Sequence, residues 1–486
     1  MALGLTPKEI IDSGRHPLLE CSKEWERIEL QEIAEVQNGY AFKSEYFNHE
    51  SGLPLIRIRD VGKSKAEELY SGDYNDDYLV NKGDILIGMD GDFRAAYWVG
   101  EPGLLNQRVC RIRNIDDSYS KKFLYYLLQP YLEAIHAETS AVTVKHLSSR
   151  TIQSIPLPNP PLPTQHRIVE KIEELFSELD HGMENLKKAQ KQLKTYRQAV
   201  LKDAFEGKLT KEWREQQDDL PTPEELLQQI KAERKAHRER ELAEWEKEVE
   251  QWEKDGKPGR KPRKPRKTRK LPPITEEELD SLPELPSYWT YIRNEECISE
   301  VKDGTHDTPD YVDKGIPFIT QKNIKSDKVD FSDTRYISQE EHQKFYKRSN
   351  VEKGDIIIAM IGHNRGNSTI VNTDKIFSIK NVGLFKFYSE FQNNRFYLYY
   401  YRSQDALNQI LSKSKGGAQP FIGLTELRKW PVIICSNKEQ DRIVEEIESR
   451  LSVVDQLEQT IKENLQKAEA LRQSILKKAF GGELVQ

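Results

Sequence analysis

The strongest constraint on this chain is that it repeats itself. RIVEKI at 167–172 returns as RIVEEI at 442–447, and RQAVLKDAFEGKL at 197–209 returns as RQSILKKAFGGEL at 472–484, both 275 positions later. Upstream, VNKGDILIGMDG at 80–91 matches VEKGDIIIAMIG at 351–362 with eight identities in twelve, at an offset of 271. Trp25 and Trp289 open the two copies at an offset of 264. Collinear matches of this length do not arise by chance. The drifting offset means a shared architecture with loops of different length. The period is far too long for a solenoid, so the 486 residues hold a duplicated two-part module and not three unrelated domains.

Each copy opens with a mixed part, Trp25 to Pro158 and Trp289 to Ser436. Short β-branched or aromatic runs separated by Gly, Pro, Asn and Asp predict strands joined by turns. They are PLIRIRDV, GDILIGM and RVCRIR in the first copy, and IPFITQKNI, GDIIIAMI and VGLFKFY in the second. KKFLYYLLQPYLEAI and FYLYYYRSQDALNQIL read as helices. Each copy then becomes helical with seven-residue spacing. Ile172, Leu179, Leu186, Leu193 and Val200 form one row, with Ile168, Leu175, Ala189 and Tyr196 as companions and Gly182 as a weak point beside Met183. Ile447, Val454, Ile461, Ala468 and Ile475 form the other, with Ile443, Leu457 and Leu471 as companions and breaks at Arg450 and Asn464. Five apolar heptads with charges between them predict coiled-coil helices of ~60 Å. Thr164 and Asn437 are the expected N-caps, and Gly207 and Gly481 the expected stops.

Between the copies lies 211–285, first a highly charged helical stretch and then DGKPGRKPRKPRKTRK at 255–270, with nine basic residues, one acidic and three prolines. Such a segment cannot bury a core and reads as a flexible, solvated linker. Non-specific attraction to phosphate is a second role open to it. The chain as a whole carries a net charge of −6, with −6 in residues 1–158 and +3 in 286–435. That balance excludes a uniformly basic nucleic-acid coat, but positive groups need only line the surfaces that touch DNA. No apolar run approaches the ~18 residues of a spanning helix. The start of the chain lacks an export signal, and the four cysteines stand far apart, so a reducing, cytoplasmic setting is expected.

Enzymatic signatures are missing. VGKS at 61–64 resembles the end of a phosphate loop, but Arg57 stands where its leading glycine belongs. NPPL at 159–162 resembles the Asn-Pro-Pro-aromatic tetrapeptide of adenine methyltransferases. Leu162 replaces the aromatic that stacks on a flipped base, and no Gly-rich loop precedes it. Asp84 and Asp355 follow a glycine before a strand. The partner carboxylate and lysine of a nuclease are absent from ILIGM and IIIAM, so both read as turn-capping residues.

At the duplicated helices the chain resembles the specificity subunit of type I restriction-modification enzymes over essentially its full length. The resemblance rests on the order of parts, on the I-P-L-P-x-P-P-L-P-x-Q-x-R-I run from Ile155 to Ile168, on RQAVLKDAFEGKLT, and on DGTHDTP at 303–309. The second copy reads WPVIICSNKEQDRI and keeps Arg442 and Ile443. The resemblance implies an α+β fold of two mixed target recognition domains in pseudo-twofold arrangement, separated by two long antiparallel coiled-coil helices. Recognition domains are expected at 1–158 and 286–436, helical spacers at 159–210 and 437–486, and a linker at 211–285. It also implies a non-catalytic, cofactor-free subunit that reads a bipartite target in double-stranded DNA. Two methyltransferase subunits, and motor-nuclease subunits in the restricting complex, are the implied partners. The alternative is a coiled-coil assembly protein whose mixed domains bind protein.

Sequence readout needs hydrogen bonds to base edges, with phosphate contacts setting the register. Polar residues next to the expected strands supply them. In the first domain these are Asn38, Tyr40, Lys43, Arg57, Arg59, Asp60, Asp90, Arg94, Asn106, Gln107 and Arg108. In the second they are Lys302, Asp303, Thr305, His306, Thr320, Gln321, Lys322, Asn323, His363, Asn364, Arg365, Lys380 and Asn381. Arg57 and Arg59 alternate on an expected strand, and His363-Asn364-Arg365 is the densest cluster. Gly39 and Gly304 read as turn residues.

Overall fold

The computed structural model describes residues 5–139, 145–265, 270–388, 392–417 and 419–485. The chain forms two compact units, residues 1–189 with 460–486, and residues 190–459.

In the first unit a four-stranded antiparallel sheet runs in the order Glu35–Asn38, Val109–Arg113, Ile85–Gly88, Ala95–Tyr97. Every residue of Ile85–Gly88 is buried, because both faces of this sheet are covered. Side chains alternate across a strand, and the two faces serve different cores. Ile85 and Ile87 pack with Phe123, Leu124 and Leu127 of the helix Lys121–Glu138. Leu86 packs with Ile56, Trp98 and Leu105 on the other side. There a five-stranded sheet runs Phe47–Asn48, Glu68–Tyr70, Leu53–Ile56, Gly103–Leu105, Leu79–Val80. Arg27–Glu29 pairs with Pro156–Pro158, which leads into the first long helix, Leu162–Phe205.

The second unit repeats this plan. Glu300–Asp303, Val382–Lys386, Ile356–Ala359 and Ser368–Ile370 form the four-stranded sheet in that order. Ile356 and Ile358 face Phe396 and Tyr397, while Ile357 and Ala359 face Ile319 and Ile379. The other sheet runs Tyr311–Val312, Arg335–Ile337, Ile316–Ile319, Ser378–Ile379. Thr290–Arg293 pairs with Pro431–Ile434 just before the second long helix, Asn437–Phe480.

Each unit holds one end of each long helix, packed antiparallel. In the first, Ile168, Val169 and Ile172 share a core with Ile475, Ala479 and Phe480. Arg472 pairs with Asp180 and lies 4.5 Å over the Phe176 ring. In the second, Val200, Leu201, Ala204 and Phe205 meet Ile443, Val444 and Ile447. Arg197 pairs there with Glu458 at 2.9 Å and with Asp455.

Several local expectations need correction. Tyr196, Leu457 and Leu471 of the companion rows are exposed, because two helices cover only one seam between them. Thr164 lies inside the first helix, and Asn437 is the first residue of the second. The cap there is Ser436, whose hydroxyl accepts the Glu439 N–H at 3.2 Å. Gly207 stops the first helix at φ +72°, but its counterpart is Gly482 at φ +78°, not Gly481. The FYLYYYRSQDALNQIL run breaks into Asn394–Arg402 and Gln404–Ser412, because Ser403 turns extended and caps the second helix. The strands of PLIRIRDV and IPFITQKNI end at Ile56 and Ile319, and 3-10 turns Ile58–Asp60 and Gln321–Asn323 follow. Arg57 and Arg59 therefore do not alternate on a strand. The linker is anchored as well: its helix Pro223–Lys254 buries Leu226 and Ile230 in the core of the second unit.

Candidate nucleic-acid interface

In each unit the first strand of the four-stranded sheet leaves through a glycine and crosses the chain arriving from the other sheet. A Cβ on Gly39 would lie 2.0 Å from the Asn106 carbonyl oxygen, and one on Gly304 would lie 2.2 Å from that of Ile379. Neither glycine has a positive φ, so close backbone approach, not a turn, demands it. Beyond the crossing, Tyr40 bridges to Asn106 and Thr305 to Lys380, both in parallel.

The residue that then leads into the next buried strand is left-handed in both units: Arg108 at φ +71° and Asn381 at φ +53°. Their carbonyls accept the Met89 and Met360 N–H groups at 2.9 and 3.3 Å. A side chain in this region costs ~1–2 kcal/mol, so the surrounding hydrogen bonds hold both residues there.

Different chemistry surrounds the two. Arg108 Nη1 lies 3.2 Å from His146 Nδ1, and its Nε 3.6 Å from Asp90. Asp90 in turn lies 2.5 Å from His146 Nδ1. Arg108 and His146 line an open cavity of about 280 Å³ with Asn38, Gly39, Met89, Ser148 and Ser149, where Asn38 Nδ2 donates to Ser149 Oγ at 3.1 Å. In the second unit Asn381 Oδ1 lies 2.7 Å from His306 Nδ1, and His306 Nε2 lies 3.0 Å from Asp303. Asp303 is fixed by Arg348 at 2.8 Å, and Lys380 donates to Thr308 Oγ1 at 2.5 Å.

The other residues expected to face DNA fall into three groups. Tyr40, Lys43, Arg94, Gln107, Lys322, His363 and Asn364 are exposed, and Gln321 and Thr320 half-buried. Asp60, Asn106, Asp303, Thr305 and Asn323 are buried, and their side chains hold the loops together. Asp60 accepts the Arg57 N–H at 3.0 Å, and Asn323, at the matching place, accepts that of Thr320 at 3.0 Å. Asn106 accepts the Gln107 N–H at 2.9 Å, and Thr305 that of Asp307 at 3.1 Å. A last group is engaged in ion pairs or loop bonds. Arg57 and Arg59 both bind Glu68, at 2.6 and 3.0 Å, Lys302 binds Asn350 at 2.8 Å, and Arg365 donates to Gly362 O and Ser414 Oγ at 3.1 Å. Arg365 thus ties its own loop while His363 and Asn364 project from it. His146 and Ser149 join the site from outside the set that the sequence singles out.

Asp84 and Asp355 cap turns as expected, accepting the Asn81 and Glu352 N–H groups at 2.9 and 2.8 Å. Each also neutralises a cation on the neighbouring strand, Arg111 at 3.1 Å and Lys386 at 2.8 Å. Among the described residues no three His, Cys, Asp or Glu gather as a metal site, and no helix is long and apolar enough to cross a membrane.

A duplicated mixed domain with a polar, strained crossing defines a paired binding scaffold, and comparison with known proteins places it. The family model for the type I restriction modification DNA specificity domain matches residues 22–189 and again 286–467. The EcoBI specificity subunit of Escherichia coli is 34% identical over all of this chain and 91% of its own length. The EcoKI specificity subunit of Escherichia coli K12 is 21% identical over 95% of this chain and 89% of its own. In fold, the chain resembles a structure solved in work on complex assembly and conformational transition of the type I R-M system. Its TM-score is 0.59 at 15% identity, covering 96% of this chain and 99% of that one. The chain belongs to the type I restriction-modification DNA specificity family.

Proposed function

We propose that this chain is the non-catalytic DNA-reading subunit of a type I restriction-modification enzyme, and that its two mixed domains each read one half of a bipartite target. The observation that carries this is the duplicated crossing. The same backbone device presents Arg108 with Asp90 and His146 in one domain, and Asn381 with His306 and Lys380 in the other. Arginine suits guanine and asparagine suits adenine, so equal scaffolds bear unequal readers. Exposed Asn38, Tyr40, Gln107, His363 and Asn364 are further base or phosphate contacts, while buried Asp60, Asn106, Asp303, Thr305 and Asn323 act through the loops they hold. The long helices are the spacer. Exposed Val453 and Leu457, one turn apart, give a methyltransferase subunit an apolar foothold, and that subunit brings the methyl donor and the chemistry. A motor-nuclease subunit joins the restricting complex.

Co-expression with candidate methyltransferase subunits, followed by long-read mapping of modified adenines, tests the reading. A single two-part motif with an unread gap is expected. Modification by the isolated chain would make it an enzyme. Absence of any sequence-dependent modification or DNA retention would leave a coiled-coil protein that binds other proteins.

A further inference from the structure

Residues 255–265 of the basic run that follows the linker helix are not a loose tether, and 266–269 lie outside the described residues. Arg238, Trp245 and Trp252 stand seven residues apart on the helix Pro223–Lys254, and so share a face. After the helix the chain turns back through Gly256, Lys257 and Gly259, all left-handed at φ +80°, +60° and +71°. It then runs antiparallel to the helix. Trp252 Nε1 donates to Pro258 O at 3.2 Å, Trp245 Nε1 to Pro262 O at 3.0 Å, and Arg238 Nη2 to Pro265 O at 2.6 Å. Seven helical residues advance ~10.5 Å. Three or four residues of extended chain span at most ~10–14 Å. The two repeats match, which is why prolines spaced by four and three meet side chains spaced by seven. Lys257 lies 5.8 Å over the Trp252 ring and Lys264 5.0 Å over Trp245.

What this clasp displays is charge. Lys257, Arg260, Lys261, Arg263 and Lys264 are all exposed, and none forms an ion pair among the described residues. Cations of the supporting helix do pair, as in Lys254–Glu250 and Arg240–Glu233. Five unneutralised cations held on one arm of a hairpin repel one another, and a spacer has no need to order them. The strip presents no tryptophan or tyrosine of its own as an anchor for a protein partner, and only Gly and Pro stand between the charges. A duplex presents one phosphate charge per ~1.7 Å, a dense and sequence-independent match.

We propose that this hairpin of helix and proline-spaced basic strip is a rail for the phosphate backbone, binding duplex DNA without reading it and fixed to the second unit through Leu226 and Ile230. From residue 270 onward the described chain is held to the second unit again. Arg293 donates to the Pro273 carbonyl at 2.9 Å and to Glu278 at 2.6 Å, and this guanidinium holds the Glu278 carboxyl down to about 2. The rail rests on the DNA-reading function proposed for the chain.

The test uses the full-length chain co-expressed with methyltransferase subunits. In one variant all five cations become Gln; in a second, Trp245→Ala and Trp252→Ala keep the charges but release the strip. Binding to duplexes with and without the mapped motif is measured between 50 and 200 mM salt, roughly the range over which phosphate neutralisation is read. For the Gln variant, affinity for motif-free duplex should fall at least ~10-fold at low salt. The slope of log K against log salt should flatten by ~2–4, at ~0.9 for each phosphate no longer neutralised, with the methylated motif unchanged. The Trp variant should show a smaller loss and faster tryptic cleavage within the strip. A Gln variant with wild-type slope and affinity would overturn the rail while leaving motif reading intact. Loss of methyltransferase co-purification would overturn it in favour of a protein contact. A wild-type complex that methylates no motif would instead sink the DNA-reading function itself.

Discussion

Arg108 and Asn381 occupy a backbone region that glycine enters freely and arginine does not. That gives a clean way to separate reading from folding. Arg108→Gly removes the guanidinium and relieves the backbone, so stability should change by no more than ~1 kcal/mol, in either direction. Discrimination at one base pair of one half-site should be lost, an effect of ~1–3 kcal/mol for a good bidentate contact. Asn381→Gly should do the same in the other half only. Thermal melts and methylation mapping of both variants check this; an unchanged motif would remove both residues from the reading set. At this scale the sequence is only partly legible. Position beside a buried strand is enough to single out Arg108 and Asn381. It does not separate them from Asp60 and Asn323, because Asp and Asn cap short turns as readily as they face bases. His146 is invisible there because it reaches Asp90 from 56 residues away.

Among the elements, the long helices are the most legible, because seven-residue spacing persists over five heptads in each. Their starts are not, because the fastening is made by tertiary contacts. Gln165 is fully buried at the head of the first helix. Its Nε2 donates to the Pro160 carbonyl at 2.8 Å, and its Oε1 accepts the Ser120 N–H at 2.7 Å. Gln440, 275 positions later, donates to the Cys435 carbonyl at 3.0 Å and accepts the Asn393 N–H at 3.1 Å. Ser120 and Asn393 are the N-caps of the helices that cover each sheet. One glutamine thus latches spacer to recognition domain in each copy, and the second copy keeps that glutamine along with Arg442 and Ile443. Gln165→Ala leaves a buried donor and acceptor unmatched, and should cost ~2–3 kcal/mol in urea unfolding of the full chain. Gln440→Ala should cost a similar amount. A loss below ~0.5 kcal/mol at both sites would show that the latch is not needed. The linker is hard to read for a related reason: composition ranks it as solvated, and composition does not register tryptophans spaced to meet prolines.

For the whole molecule, the repeat has a consequence that can be tested by cutting it in two. The first unit borrows Ile475, Ala479 and Phe480 from the end of the second long helix to complete its core. The residues 275 positions earlier are Val200, Ala204 and Phe205, which do the same work in the second unit. Their partners match as well, since Ile168, Val169 and Ile172 in one core correspond to Ile443, Val444 and Ile447 in the other. A fragment of residues 1–215 therefore carries both the socket and a near-copy of the plug. Its own helix points away from its own socket, so two copies must exchange ends. The fragment should form a homodimer whose cores repeat the native packing, with Val200 in place of Ile475 as the only change among the three plugs. Loss of one methylene on that change costs ~0.5–1.5 kcal/mol per site, too little to prevent association that buries three apolar side chains in each core. A fragment of residues 1–189 retains the socket but lacks the plug, and should stay unassociated and less stable. Light scattering coupled to size exclusion separates the two outcomes. Combined with methyltransferase, the dimeric fragment should modify a symmetric target made of the first half-site and its inverted repeat. A folded, monomeric 1–215 would show that the two copies have diverged beyond exchange.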